Sequence, residues 1–435
     1  MKACLLPLAV MWSFTLAPLL AQDPLYFPPT SGSDWAGTSP EELGWCTEEL
    51  PAFYDFLDQT NTKAFIALQD GKIVLERYFD DFTQDSIWYW ASAGKSLTAL
   101  LVGVAQAEGL LSIDSATADY LGQGWTSLAS ERERAIRVFH QLTMTTGLDD
   151  QNFDCTDPEC LIFREEPGAR WAYHNAPYTL LTRVIEAASG QSINGFLTSR
   201  LKAITGMKGA YLNIGFNRIY FSDARSFARF GLLMLNGGRW ADRTVLADSS
   251  YFRQMMEPSQ MLNPAYGYLW WLHGSAYHRL PGLPFDLNGP ISPGTPDDAY
   301  SAIGRDGQIL SVVPSEGLVW IRMGEAPSDD GLVPTTFHTD IWEALEAVRC
   351  PTVSPLTETD AANWTVFPNP TTGPLTIRGK QLGEDLEIEV WNRQGQLRWR
   401  GTERGSFSIH GLAPGPYWLR LRSSTEERGF MIQKM

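Results

Sequence analysis

The chain has 435 residues, 44% of them hydrophobic and 12% aromatic, so it can bury a large core, has room for more than one domain and is not a disordered polymer. Its 34 basic and 50 acidic residues leave a net charge of −16, which repels phosphate backbones and argues against nucleic-acid binding over an extended surface.

The first stretch, MKACLLPLAVMWSFTLAPLLAQ, has one lysine, a short interrupted apolar run and a small residue, Ala21, before Gln22. It predicts a secretory signal over residues 1–21, cleaved on export. No later stretch approaches the roughly 18 uninterrupted apolar residues of a membrane span, so no transmembrane segment is expected. Cys4 leaves with the signal, and Cys46, Cys155, Cys160 and Cys350 remain. An even number in an oxidising compartment favours two disulfides, for which three pairings exist. Cys155 with Cys160 is favoured because CTDPEC closes a tight polar loop, and Cys46 with Cys350 because it would staple the two ends of one domain. No histidine sits at zinc-ligand spacing near either pair, so no metal is expected.

Residues 41–62 read as a first helix, and AFIALQDGKIVLERYF as two strands around an Asp70-Gly71 turn. SLTALLVGVAQAEG follows with apolar residues at helical spacing. APYTLLTRVIEAASG and SDARSFARFGLLMLNGG are further helical stretches ending on glycine. After the Pro/Gly-rich loop GPISPGTPDD come two strand-like runs, QILSVVP and GLVWIRMG, and a last helix, HTDIWEALEAVRC. Strands at both ends with helices between predict an α+β domain over residues 22–350, its sheet closed by distant segments. PTVSPLTETDAA, residues 351–362, lacks any period and reads as a linker. In residues 363–435, LEIEVW, QLRWRG, SFSIHG and YWLRLRS alternate apolar and polar residues between glycines, as in a small antiparallel β-sandwich. This tail carries ten basic and seven acidic residues against the acidic remainder, and it reads as a separate module.

Gly94-Lys95-Ser96 ends like a phosphate-binding loop, but that loop needs a glycine five residues before Gly94, where Tyr89 stands. Ser92 and Lys95 instead form S-x-x-K. If a helix begins at or just after Ser92, the two lie on one face and the amine reaches the hydroxyl. A lysine kept from being charged can then take the serine proton, and the helix N-terminus offers amides to a developing oxyanion. S-x-x-K is a weak pattern alone, since Lys95 could be an ordinary solvated helical residue. Tyr173-His174-Asn175 is a second constellation, placed before a helix where a phenol and an amide could project into a cleft, the plain alternative for Tyr173 being a satisfied core tyrosine. Six histidines are scattered with none in H-E-x-x-H, so zinc hydrolysis has no support. Trp88, Trp90, Trp270 and Trp271 suit either a substrate wall or the core.

WASAGKSLTALLVG resembles the S-x-x-K segment of serine β-lactamase-like hydrolases, the group of class C β-lactamases, D-alanyl-D-alanine carboxypeptidases, related esterases and nylon-oligomer hydrolases. Tyr173-His174-Asn175 matches their Y-x-N, and FHQLTMTTGL, TRVIEAASGQSINGFL, ARSFARFGLLMLNGGRW and AYGYLWWL resemble the stretches around it, in family order over roughly residues 45–345. The resemblance implies a β-lactamase/transpeptidase-like α+β fold, an antiparallel sheet flanked by helices plus an all-helical subdomain, with no cofactor. It implies Ser92 as nucleophile, Lys95 as the residue holding its proton relay, Tyr173 as general base or acid, and Asn175 as a substrate- or lysine-orienting partner, with His174 pointing away. Where penicillin-recognising members carry Lys-Thr-Gly or His-Thr-Gly, this chain has Gly304-Arg305-Asp306-Gly307-Gln308, similar to the G-x-x-G-Q of the esterase and amide-oligomer branch. A backbone amide at Arg305 or Asp306 could serve the oxyanion. Arg305 either replaces the missing cation or pairs with Asp306 on the surface.

The expected activity is therefore hydrolysis of an ester or amide in a small-molecule or short-peptide substrate. The alternatives are a β-lactamase or D,D-peptidase, and a noncatalytic protein binding cell-wall fragments on the same fold. In the tail, VFPNPTTGPLTI, GLAPGPYWLRL and ERGFMIQKM resemble the C-terminal sorting domains of the type IX secretion system of Bacteroidetes. That resemblance implies the secretion machinery as a partner and a secreted or cell-surface location, reached through the periplasm and outer membrane. The other reading of the tail is a carbohydrate-binding or adhesive sandwich.

Overall fold

The structure, a computed structural model, describes residues 25–152, 154–283, 285–327, 335–350, 364–379, 386–392, 395–423 and 427–435. The expected signal over 1–21 and linker over 351–362 lie outside the described residues.

The first helix is shorter than the sequence pattern suggests. Gly44 takes φ 72°, leaving two 3-10 turns, Glu41–Leu43 and Thr47–Glu49, before α1 (Leu50–Gln59). Strands β1 (Thr62–Gln69) and β2 (Lys72–Tyr78) pair across Asp70 and Gly71, both with positive φ (50° and 85°), which is what a two-residue hairpin turn with matching strand twist requires. The short β3 (Trp88–Tyr89) leads into α2 (Gly94–Ala107), buried from Gly94 to Ala105 and so the central helix of the domain. Next come α3 (Asn175–Ser189), closed by Gly190 at φ 68°, the hairpin β4 (Ala210–Ile214) and β5 (Asn217–Ser222), and α4 (Ala224–Leu235), whose N-terminus is capped by Asp223 accepting from Ser226 N.

The last part of the domain supplies β6 (Trp271–Leu272), β7 (Tyr300–Gly304), β8 (Gln308–Val313), β9 (Leu318–Gly324) and α5 (Thr335–Arg349). The central antiparallel sheet runs β2-β1-β9-β8-β7-β6. Its closure pairs Thr62–Gln69 with Leu318–Gly324, joining the two ends of the domain as the strand pattern implies. Helix α4 packs on the sheet at Gly231, where a Cβ would lie 2.5 Å from Leu310 and Val319. A smaller helical region has its own core of Trp125, Ile136, Leu148, Leu161 and Leu180.

Both expected disulfides are present: Cys46 is joined to Cys350 and Cys155 to Cys160, with Cα separations of 5.5 and 6.0 Å. The tail is a sandwich of a three-stranded and a four-stranded antiparallel sheet around Trp364, Leu375, Ile388 and Leu419. It touches the first domain where Trp391 meets Phe285, ring centroids 5.9 Å apart. Among the described residues, no helix is long and apolar enough to cross a membrane.

Candidate active site

The chain reaches Ser92 through a sharp bend. Ala91 has φ 47°, a left-handed conformation that costs a non-glycine residue about 1 kcal/mol or more, and Ala91–Ala93 form a 3-10 turn directly before α2. Ser92 is thereby half-buried at the mouth of a cleft while Lys95, one turn on, points into the interior and is 1% exposed.

The Lys95 amine donates to Ser92 Oγ at 2.7 Å and to Asn175 Oδ1 at 2.9 Å. It lies 4.0 Å from the centre of the Tyr178 ring and 4.8 Å from that of Tyr173. Burial pushes the lysine well below its ordinary range, and the Arg305 guanidinium pushes it the same way, both acting against the charged ammonium. Burial raises the Tyr173 phenol, opposed by the Ser92 hydroxyl beside it, and raises Tyr178 to about 12. Both phenols keep their protons at neutral pH. The Tyr173 ring is held by stacking on Trp271, centroids 6.0 Å apart and planes 14° from parallel.

Ser92, Lys95, Tyr173 and Asn175, spread over 84 positions of sequence, thus converge on one point. His174 is only 2% exposed, and the carboxylates of Asp150 and Asp149 lie near its ring; burial lowers it to about 4. Trp90, Trp270 and Trp271 are buried in the main core, which settles them as packing residues.

The opposite wall comes from the end of β7. Gly304 abuts the serine turn so closely that a Cβ would lie 2.6 Å from Trp90 O and 3.0 Å from Ser92 N. Beyond it, Asp306 takes φ 62° and accepts from the Tyr89 hydroxyl at 2.5 Å. The pairing of Arg305 with Asp306 does not form: Arg305 is exposed, has no ion-pair partner among the described residues, and lines the cleft. The cleft has a volume of about 480 Å³ and reaches Tyr89, Ser92, Asn175, Arg305 and Asp306.

Two further residues hold this wall in place: Arg322, which the sequence pattern does not single out, and Gln308, the last residue of the G-x-x-G-Q element, to which the resemblance assigns no role. The Arg322 guanidinium is fully buried and donates to the carbonyls of Asp306 (2.6 Å), Gly307 (3.2 Å), Thr60 (2.7 Å) and Glu325 (2.9 Å), and to Thr62 Oγ1 (3.1 Å). Burial lowers it to about 9, so it remains charged at neutral pH. The Gln308 side chain donates to Gly324 O at 2.6 Å and accepts from Gly324 N at 3.1 Å. In sequence, Arg322 is a lone charge inside the apolar run LVWIRMG, and that anomaly was the available signal. Among the described residues, no group of three or more His, Cys, Asp or Glu side chains is placed to hold a metal ion.

Comparison with known proteins gives the family and the fold. Residues 55–333 match the family model described as Beta-lactamase, and residues 365–433 that of the secretion system C-terminal sorting domain. The second match marks the chain for type IX secretion, to the medium or the cell surface. An uncharacterised protein of Alkalihalophilus pseudofirmus is 22% identical over 305 residues, 62% of this chain and 84% of that protein. Three solved structures share the fold. A Bacillus anthracis protein described as a 6-aminohexanoate-dimer hydrolase has TM-score 0.56 and 16% identity, covering 74% of this chain and 89% of its own. A Bacteroides dorei DSM 17855 protein described as a beta-lactamase has TM-score 0.56 and 17% identity, covering 70% and 99%. A family VIII carboxylesterase has TM-score 0.51 and 16% identity, covering 70% and 97%. With the family model matching residues 55–333, well over half of the chain, the chain belongs to the beta-lactamase family of serine hydrolases.

Proposed function

We propose that this protein is a secreted serine hydrolase that cleaves an ester or amide bond through an acyl-enzyme on Ser92. The observation that carries the reading is the buried, uncharged-leaning Lys95 amine held between Ser92 Oγ and Asn175 Oδ1. A serine hydroxyl is a poor nucleophile until a base takes its proton, and a desolvated amine is such a base.

In the first step the Ser92 Oγ–H proton passes to Lys95 Nζ as Oγ bonds to the substrate carbonyl carbon. The backbone N–H of Ser92, with that of Arg305 or Asp306, receives the oxyanion. Collapse breaks the bond to the leaving group, which takes the proton from Lys95 through the Tyr173 hydroxyl. In the second step water passes a proton along the same path to Lys95 and adds to the acyl carbon; the acyl–Oγ bond then breaks, Lys95 returns the proton to Ser92 Oγ, and the acid product leaves. Burial of the Tyr173 phenol favours its relaying a proton over its standing as a phenolate base. Asn175 orients the amine without adding charge.

In this reading residues 1–21 are removed on export, residues 22–350 do the chemistry, 351–362 are a linker and 363–435 carry the export address. The substrate is a small molecule or short peptide, and no cofactor is required. A fluorophosphonate probe should label the folded protein at Ser92 and leave Ser92→Ala unlabelled. A panel of short-chain nitrophenyl esters, D-amino acid amides and nitrocefin then separates esterase or amidase from penicillin-directed activity. Labelling that survives in Ser92→Ala, or no turnover of any member of the panel, overturns the reading.

A further inference from the structure

The cleft at Ser92 does not end there. Asp154 and Phe216 form part of its wall and also part of the wall of a second compartment of about 460 Å³. Helix α3 runs along both. Asn175, Thr179 and Arg183 follow at steps of four residues and so share one helix face: Asn175 lines the first compartment, Thr179 and Arg183 the second. At about 1.5 Å of rise per residue, Arg183 stands about 12 Å beyond Asn175.

The facing walls are the tip of the β4–β5 hairpin, with Asn213 in β4 and Gly215 and Phe216 in the turn, and the strap at the Cys155–Cys160 disulfide, with Asp157 inside the disulfide loop and Asp154 just before it. Two guanidinium groups reach this compartment, and they differ. Arg218 is engaged by Glu186 at 2.7 Å. Arg183 is exposed and has no ion-pair partner among the described residues. Two carboxylates, Asp154 and Asp157, also line the compartment, and Arg183 is its one guanidinium left without an ion pair among the described residues, so it is the group there that can pair with an anion.

We propose that the groove along α3 is an extended subsite for a linear oligoamide, a peptide or peptide-like chain, whose terminal carboxylate pairs with Arg183 while its scissile carbonyl lies at Ser92. An extended chain advances about 3.3–3.6 Å per residue, so about 12 Å corresponds to three or four amide units. The lining matches that chemistry: Asp154 and Asp157 offer acceptors to amide N–H groups, Asn213 can both give and receive, and the Thr179 hydroxyl, which donates to Asn217 Oδ1, can accept. A fatty acyl chain would leave these groups unpaired. The proposal rests on Ser92 being the acylated residue.

The test uses the full chain carrying Ser92→Ala, so that ligands bind without turnover, with N-acetyl-tetraglycine and its C-terminal amide as probes in calorimetry. The free acid should bind about ten-fold more tightly than the amide, and adding Arg183→Gln should bring that ratio to about one, with Arg183→Lys restoring part of it. Affinity should rise from N-acetyl-diglycine to the tetraglycine. An acid-to-amide ratio near one in the Ser92→Ala protein, a ratio that survives Arg183→Gln, or no dependence on length overturns the proposal. Failure of the hydrolase reading shows separately, as wild-type protein that neither reacts with the fluorophosphonate nor turns over any ester; the affinity ratio still decides the groove in that case.

Discussion

The Lys95 amine donates at 2.9 Å to Asn175 Oδ1, an acceptor 80 residues further along the chain. A neutral amide orients the amine without rewarding its protonation, whereas a carboxylate in the same place would stabilise the ammonium form. Asn175→Asp should therefore raise the Lys95 pKa, move the acidic limb of kcat/KM to higher pH and lower the rate at pH 7 by about 100-fold or more. A pH–rate profile checks this, and an unshifted limb would remove Lys95 from the role of base.

Arg305 acts on the same group from the other side. Its charge adds to burial in depressing Lys95, so protonation becomes easier when that charge is removed. Arg305→Gln should shift the acidic limb of kcat/KM upward in pH, and high salt should do the same more weakly in the wild type, because the guanidinium is exposed and screened. The measurement is the same profile at two ionic strengths. A shift to lower pH contradicts the electrostatic account.

Tyr173→Phe deletes the hydroxyl and keeps the ring on Trp271. The melting temperature should change by no more than a few degrees, while kcat falls about 100- to 10,000-fold, the usual worth of one proton-transfer group. Stopped-flow acylation with a nitrophenyl ester separates the two steps. Wild-type rates in Tyr173→Phe would assign the relay to another group.

Gly304→Ala puts a methyl 2.6 Å from Trp90 O, 2.9 Å from Ala93 N and 3.0 Å from Ser92 N, all backbone atoms that have nowhere to move cheaply. The strand end and the serine turn must part. Activity should drop to near background, with a loss of about 1–3 kcal/mol in urea unfolding. Unaltered kinetics would mean that this close approach does not shape the site.

Behind the sheet, His273 and His338 share a buried network: His273 Nε2 lies 2.8 Å from Ser301 Oγ, and His338 Nε2 lies 3.1 Å from both Ser301 and Ser311. Burial lowers His273 to about 3 and His338 well below its ordinary value, so the folded protein holds both neutral. The unfolded chain takes up these protons from about pH 6.5 downward, so stability is full above that pH and falls as pH drops toward 3, by up to about 1.4 kcal/mol per unit for each histidine. Urea unfolding between pH 7 and 4 reads the slope. The decline should lessen in His273→Gln, and an unchanged slope in that variant counts against this source.

Much of the fold was legible because it is written in local pattern. The Asp70-Gly71 hairpin, the glycine-terminated helices and the alternation in the tail each follow from backbone preferences acting over a few residues. The first helix was overextended because Gly44 and Pro51 divide a stretch whose apolar spacing alone looks continuous. Arg322 and Gln308 were not legible as supports of the site, since, apart from near neighbours such as Glu325, their partners lie 15 to 262 residues away and a buried charge in a strand has no signature of its purpose.

The sequence alone determined which groups exist and their local spacing: a serine and a lysine one helical turn apart, a tyrosine and an asparagine before another helix, four cysteines from Cys46 onward, and a tail with the sorting pattern. Tertiary structure decided what those groups are chemically. Only the closed sheet and the packing around α2 take water from Lys95, bring Tyr173 and Asn175 to it and set the Arg305 charge where it acts on the amine. Proton affinity depends on solvent exclusion and on charges brought close in space, and neither is a property of neighbouring letters.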